Sequence, residues 1–345
     1  MARNSYDGYR GRTRARKAAG VAAGAVVILL VLVVVGLLIG QRYIVYTDEG
    51  VHLDIPFLRG DEQTPPALSG VSVEIIPGPE EEAHAAAPYT VRAVFMSVDE
   101  LLSGGAQAVT RRGANTVVLD MKHPDGTLGY TSGLTLAQNA DAPAERIDEL
   151  IGTLHEADIR AVARVSCFRD DRLGRREEYA LLTNSGYCWN YDPVGLYWIS
   201  AGRPAVREYV ADVVKELALL GFDEVLLEDW GYPTQGELGW LRRGEDYSPD
   251  RLNTAVDAFA DLVCQGTEGT DTTVSFYVPA GVLDGTDPYS GITPELLARM
   301  EGRIWLKEKE AADLHGLAVQ LGMEERTVFP APSLDQDQNH IYLIR

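Results

Sequence analysis

The stretch FDEVLLEDWGYP, Phe222 to Pro233, decides the fold. Its first half is a short β-rich run that ends on two adjacent acids, and its second half is an aromatic loop. Before it lies Pro204–Leu220, where Val206, Val210, Val213, Val214 and Leu217 recur at helical spacing and Gly221 closes the run. After it, Pro249–Cys264 reads as another helix. A strand held between two helices argues for parallel β/α units, because parallel strands need a long crossover connection.

The alternation continues in both directions. Strand candidates are Val91–Met96, Asn115–Asp120, Arg160–Ser166, Asp223–Glu228, Thr273–Tyr277, Arg303–Lys307, Thr327–Phe329 and His340–Ile344. Further helix candidates are Leu101–Arg112, preceded by Ser97 and Glu100 at capping-box spacing, then Ala144–Ala157, Pro294–Met300 and Ala311–Gly322. Eight strands over about 257 residues match an α/β TIM (β/α)8-type barrel in count and size. The rival is an open doubly wound sheet. It would favour a glycine-rich phosphate turn after the first strand, where this chain has Met96-Ser97-Val98-Asp99. Two features depart from the barrel pattern: the Ala331–Asn339 link is too short for a helix, and no helical pattern follows the eighth strand.

Barrel enzymes place their chemistry at the C-terminal strand ends, and inward residues alternate with outward ones. On the fourth strand Val225 and Leu227 suit the helix layer, so Glu224, Leu226 and Glu228 point inward, with Glu228 at the rim. Asp229 then has outward parity unless the strand has already ended. The same alternation turns Asp120 and Lys122 inward on the second strand, and Val162, Arg164 and Ser166 inward on the third. One acid, one base and another acid thus converge from neighbouring strands. Hydrolysis of a glycosidic bond needs two carboxyl groups, one to donate a proton and one to attack or to activate water. Glu228 and Asp120 are the predicted catalytic pair. Lys122, Arg164, Asp229, Trp230, Tyr232 and Tyr277 are the predicted substrate-binding residues. A structural ion network of Asp120, Lys122 and Arg164 is the plainer alternative. Asp125, Asp170, Asp171, Asp284, Asp287 and Asp335 are further loop acids, of which Asp125-Gly126 and Asp284-Gly285 read as turns. All five tryptophans lie from the third-strand loop onward. That bias suits stacking on sugar rings and equally suits ordinary core packing.

The N-terminal part has a different character. Residues 1–17 form a basic tail, and Ala18–Gly40 is 23 residues without a polar side chain, enough to span a hydrocarbon core of about 30 Å. The run is too long for a signal-peptide core, and Gly40-Gln41-Arg42-Tyr43 offers no good cleavage site. The expectation is a single-pass transmembrane helix with the basic tail cytoplasmic and the rest extracytoplasmic. Residues 42–55 read as a juxtamembrane β hairpin about Asp48-Glu49-Gly50, and a Pro-, Gly- and acid-rich linker continues to Pro88. The barrel is then predicted over 89–345.

Composition narrows the function. The chain carries 31 basic and 51 acidic residues, a net charge of −20. Six of the bases and one acid fall in residues 1–40, which leaves −25 on the remainder. Phosphate-backbone binding needs clustered positive charge, so nucleic acid is excluded as a partner. Cys167, Cys188 and Cys264 show no metal-ligand spacing, so no zinc framework is implied. No organic cofactor is implied, and the loop acids leave room for a Ca²⁺. Outside the cytoplasm Cys167 and Cys188 are candidates for a disulfide, with Cys264 a free thiol.

Three motifs resemble the bacterial family of glycoside-hydrolase barrel domains that includes membrane-anchored members. FDEVLLEDWGYP (Phe222–Pro233) is similar to its fourth-strand signature, Phe-Asp-Glu-Ile-Gln-Phe-Asp-Tyr-Val-Arg-Phe-Pro. NTVVLDMKHPDGTLGY (Asn115–Tyr130) is similar to its second strand, and LHEADIRAVARVSCFRD (Leu154–Asp170) to its second helix and third strand. The similarity covers roughly Tyr89–Phe329. It implies a barrel acting as a glycosidase on a cell-surface or environmental polysaccharide. Glu228 stands where the family has Asp, and Gly231 where it has Arg. Those departures support the alternative of a non-catalytic ectodomain that binds glycan or cell-wall polymer. A hydrolase of some other ester or amide ranks last, since GxSxG and HExxH are missing. The expected contrast is that Glu228→Gln abolishes hydrolysis while Asp229→Asn costs much less.

Overall fold

The computed structural model describes residues 44–47, 50–53, 89–144, 146–307, 314–335 and 340–344. The predicted tail, the apolar segment 18–40 and the linker lie outside these residues. Among the described residues no helix is long and apolar enough to cross a membrane. The chain divides into two units, 1–82 and 83–345. The first holds a hairpin, β1 (Ile44–Thr47) antiparallel to β2 (Gly50–Leu53), with Thr47 opposite Gly50.

The second unit is a closed barrel. Its eight strands are β3 (Arg92–Met96), β4 (Thr116–Lys122), β7 (Arg160–Ser166), β8 (Glu224–Glu228), β9 (Thr273–Val278), β10 (Ile304–Leu306), β11 (Thr327–Ala331) and β12 (Ile341–Leu343). Each pairs in parallel with its neighbours, and closure comes from β12 on β3 and β3 on β4. That closure excludes the open doubly wound sheet. Eight expected strands are present, displaced by at most two residues at either end. Two further strands, β5 (Thr127–Tyr130) and β6 (Gln138–Ala144), extend the sheet beyond β4. They went unpredicted because their residues neither alternate cleanly nor carry β-branched runs.

The helices follow the expected order. The first candidate is two short helices, α1 (Val98–Gly104) and α2 (Ala106–Thr110), separated at Gly105, whose φ of 59° only glycine takes readily. The capping box is formed: Ser97 Oγ accepts from Glu100 N, and the Glu100 carboxylate accepts from Ser97 N. Then come α3 (Ile147–Glu156), α4 (Pro204–Leu219) and α5 (Leu252–Thr267). A short α6 (Ala280–Leu283), α7 (Pro294–Arg299) and α8 (Leu314–Gln320) complete the set. Among the described residues no helix lies between β11 and β12.

Strand alternation sorts the core into two clusters. Val117, Leu119, Ala161, Ala163, Val225 and Leu227 face the helices. Val118, Val162, Leu226, Trp305, Val328 and Tyr342 fill the barrel interior. Near the N-terminal end of the barrel the buried Glu224 carboxylate accepts from Arg303 Nη1 and Trp305 Nε1, both at 2.8 Å. A charge enclosed in this way is tolerable because both oxygens are paired.

Candidate active site

Three neighbouring strands, β4, β7 and β8, together with β10 beyond β9, deliver one cluster of charges to the C-terminal mouth. Asp120 on β4 receives a fork from Arg164 on β7, with Nε at 2.5 Å and Nη2 at 2.8 Å. The third nitrogen of that guanidinium, Nη1, lies 3.3 Å from Glu228 Oε2 at the end of β8. Glu228 Oε1 lies 2.9 Å from the Lys307 ammonium, which follows β10, and Asp229 Oδ1 lies 3.0 Å from the same nitrogen. The chain of contacts is therefore Asp120–Arg164–Glu228–Lys307–Asp229. It holds three carboxylates and two cations, so one added proton brings it to neutrality.

Burial strengthens every contact in this cluster. Burial alone would pull the Lys307 ammonium down, but Asp229 and Glu228 outweigh it and the net shift is upward. Arg164 behaves alike: burial opposes its charge, while the Asp120 hydrogen bonds and the nearby Glu228 raise it. Both cations therefore stay charged across the physiological range. Aromatic faces complete their shells, with Phe95 5.0 Å from the Arg164 guanidinium carbon and Tyr277 5.3 Å from the Lys307 nitrogen. Burial raises the Tyr277 phenol, which meets the Tyr342 hydroxyl at 3.1 Å, and Tyr342 in turn donates to Leu306 O.

Asp229 does not follow the outward parity read from the sequence. β8 ends at Glu228, and Asp229 takes a left-handed backbone with φ 49°. That turn breaks the alternation and brings its carboxylate beside Glu228. Asp229 lines a cavity of about 260 Å³, and its Oδ2 has no partner among the described residues. Trp230, Tyr232, Tyr277, Lys307, Arg169 and Trp198 share that wall. Trp230 is fully buried against Phe276, with its indole nitrogen unpaired. The Tyr232 ring packs on Tyr247 and its hydroxyl donates to Asp246 O. Gly231 admits no side chain, because a Cβ there would come 2.4 Å from Ser290 O.

Lys122 is the residue the structure removes from the cleft. The β4–β7 register shifts between Asp120 and Lys122, so the alternation that turned both inward fails at that point. Lys122 is instead enclosed with Asp170 at 2.8 Å, both side chains fully buried, and donates to Ser166 O. The cysteine bridge is also absent. Cys167, Cys188 and Cys264 are free: Cys167 donates to Val165 O within the core, and Cys188 lies on a loop bridged to Leu182. Asp125 and Asp284 are the turn formers their Asp-Gly pairs announced, each capping a threonine two residues on.

Lys307 and Arg169 were missed as site residues. The signal for Lys307 was available: alternation from the inward Trp305 along the sixth strand points two residues on, to Lys307. Arg169 had none, because it sits on a loop. There it pairs with Asp192, whose carboxylate also collects the backbone N–H groups of Val194, Gly195 and Leu196 and the Trp198 indole.

Comparison with known proteins adds the family. No curated protein matches the chain. Among solved structures, the glycoside hydrolase domain of PgaB (BpsB) from Bordetella bronchiseptica is 14% identical, with 74% of this chain and 94% of that one covered and a TM-score of 0.53. A hypothetical protein from Ruminiclostridium thermocellum ATCC 27405 is 19% identical, with 52% of this chain and 96% of that one covered and a TM-score of 0.43. The first of these likenesses shows the barrel fold. The family model described as "Putative glycosyl hydrolase domain" matches residues 91–286, which takes in β3 to β9 and the acids at the end of β8. That match spans more than half of the 345 residues, and the chain belongs to this glycosyl hydrolase domain family.

Proposed function

We propose that this protein hydrolyses O-glycosidic bonds of a polysaccharide, with Glu228 and Asp229 as its working carboxyls. The observation that carries the reading is that both acids sit on one ammonium at the barrel mouth, with Asp229 among the residues that line the cavity. Glu228 touches two cations and works as the anion: it attacks the anomeric carbon as the bond to the leaving oxygen breaks. Asp229, which lines the cavity, is the acid that gives a proton to that oxygen. Water then attacks the anomeric carbon, Asp229 takes up its proton, and Glu228 leaves as the carboxylate. The facing oxygens lie no more than about 6 Å apart, since each is within 3.0 Å of Lys307 Nζ. A bound of that size admits the ~5–5.5 Å of retaining glycosidases, and retention is the outcome proposed. Asp120, held by both oxygens in the Arg164 fork, positions the guanidinium that contacts Glu228. The apolar segment 18–40 anchors the barrel in the cell membrane with the site facing outward.

The test is a pair of near-isosteric variants assayed for new reducing ends on a panel of polysaccharides. Glu228→Gln and Asp229→Asn should each lower the rate by at least about 10²-fold, the usual worth of a positioned acid or base. An Asp229→Asn variant as active as the parent would remove Asp229 from the mechanism. A parent that binds glycan without cutting it would replace hydrolysis by binding.

A further inference from the structure

Two long loops cross the mouth: residues 167–203 after β7 and 229–251 after β8. They are fastened to each other. Gly236, at φ 99°, lies so close to the first loop that a Cβ would come 2.0 Å from Tyr191 O. Glu237 N donates to Tyr191 O, Trp189 Nε1 donates to Glu237 O, and Asn184 N donates to Trp240 O. The fastening sets two rings edge to face at the surface. Tyr191 is 40% and Trp240 49% exposed, with ring centroids 4.6 Å apart at 70°. Trp189, Trp198, Trp230 and Trp305 are buried, so Trp240 is the one tryptophan that faces water.

Single exposed apolar residues need no explanation. Here, however, five of the eight large apolar residues exposed among the described residues (Tyr187, Tyr191, Val194, Trp240 and Tyr289) lie on the loops after β7, β8 and β9. The ring pair is also continuous with the cavity, because Asp192, Pro193 and Val194 follow Tyr191 onto its wall and Thr234 and Gln235 lead from that wall to Gly236. A pre-ordered aromatic pair loses little entropy on binding, and a ring braced by its edge-to-face neighbour can stack its free face on the C–H surface of a pyranose.

We infer that Tyr191 and Trp240 form a sugar-stacking platform, and that a glycan chain with one unit in the cavity lays a further unit across it. The inference rests on the glycosidase reading and narrows its substrate to a polymer long enough to span both places. It does not use Glu228, Asp229 or Lys307.

The experiment takes the full chain in non-ionic detergent through native gels containing hydroxyethylcellulose, dextran, polygalacturonate or soluble chitosan. Migration should be retarded by at least one polymer. Trp240→Ala should weaken that retardation at least about tenfold, the effect of removing a central aromatic contact. Leu219→Ala, an exposed apolar change at the opposite end of the barrel, should leave it unchanged. Because Trp240 alone is exposed, the same polymer should also shield the iodide-quenchable part of the tryptophan emission. Equal retardation of parent and Trp240→Ala, or quenching unmoved by a bound polymer, overturns the platform. So does a change in sedimentation with Trp240→Ala, which would mean that a second copy covers the rings. If the parent cuts a polymer without depending on Trp240, the platform falls and the glycosidase reading stands. If it neither binds nor cuts any of them, both fall.

Discussion

Lys122 and Asp170 show how one residue's surroundings decide its role. Both side chains are fully buried and 2.8 Å apart, so removing one leaves the other an uncompensated charge. Lys122→Met should therefore lower unfolding free energy by about 3–5 kcal/mol in urea titration, and adding Asp170→Leu should recover part of the loss. A variant as stable as the parent would contradict the enclosed pair and return Lys122 to the list of ligand contacts. The sequence placed Asp120, Arg164 and Glu228 correctly, because strand alternation is a rigid geometric rule over the regular part of a strand. It misplaced Lys122 and Asp229 for a shared reason. Each lies where the regular strand stops, one at a register shift and the other in a left-handed turn, and neither event leaves a mark in periodicity.

At the scale of elements, the strands and main helices were legible and the loops were not. Hydrophobic period and caps gave eight barrel strands and the helices between them. The loop after β7 has no period, and what orders it is a single acid. Burial alone would raise the Asp192 carboxyl, but the Leu196 N–H, the Trp198 indole, the Arg169 guanidinium and the Gly195 N–H outweigh it and the net shift is downward. A carboxyl depressed in the folded state contributes stability above its unfolded pKa of about 3.9, and that contribution is lost as pH falls through the lower folded value. The loop should thus keep its near-ultraviolet circular dichroism from pH 8 to about pH 5 and lose it below about pH 4. Asp192→Asn should cost about 1–3 kcal/mol at pH 7, with the difference from the parent shrinking below about pH 4. A constant difference down to pH 2 would show that the carboxylate's charge is not what holds the loop. The tryptophan bias divides along the same line. Core packing buries four of the five rings, of which Trp198 and Trp230 also line the cavity, and Trp240, on a loop, is the one exposed to solvent.

For the whole molecule, the proposed membrane anchoring rests on the apolar 23-residue segment 18–40 and the basic residues before it. Protease added to intact protoplasts should remove the barrel; full protection would place it inside the cell. The overall architecture was legible because barrel closure follows from the number and order of the β/α units. The pairing of Glu228 with Asp229 was not, because it depends on Lys307 arriving from a strand 78 residues further on. These two carboxyls are proposed to cleave a glycan by double displacement. Its most direct measurement is proton NMR of the anomeric signals as the full chain digests a polysaccharide. The first-formed reducing end should keep the configuration of the bond that was cut, and Glu228→Gln should release none. A first-formed product of inverted configuration, or release undiminished in Glu228→Gln, would contradict that mechanism.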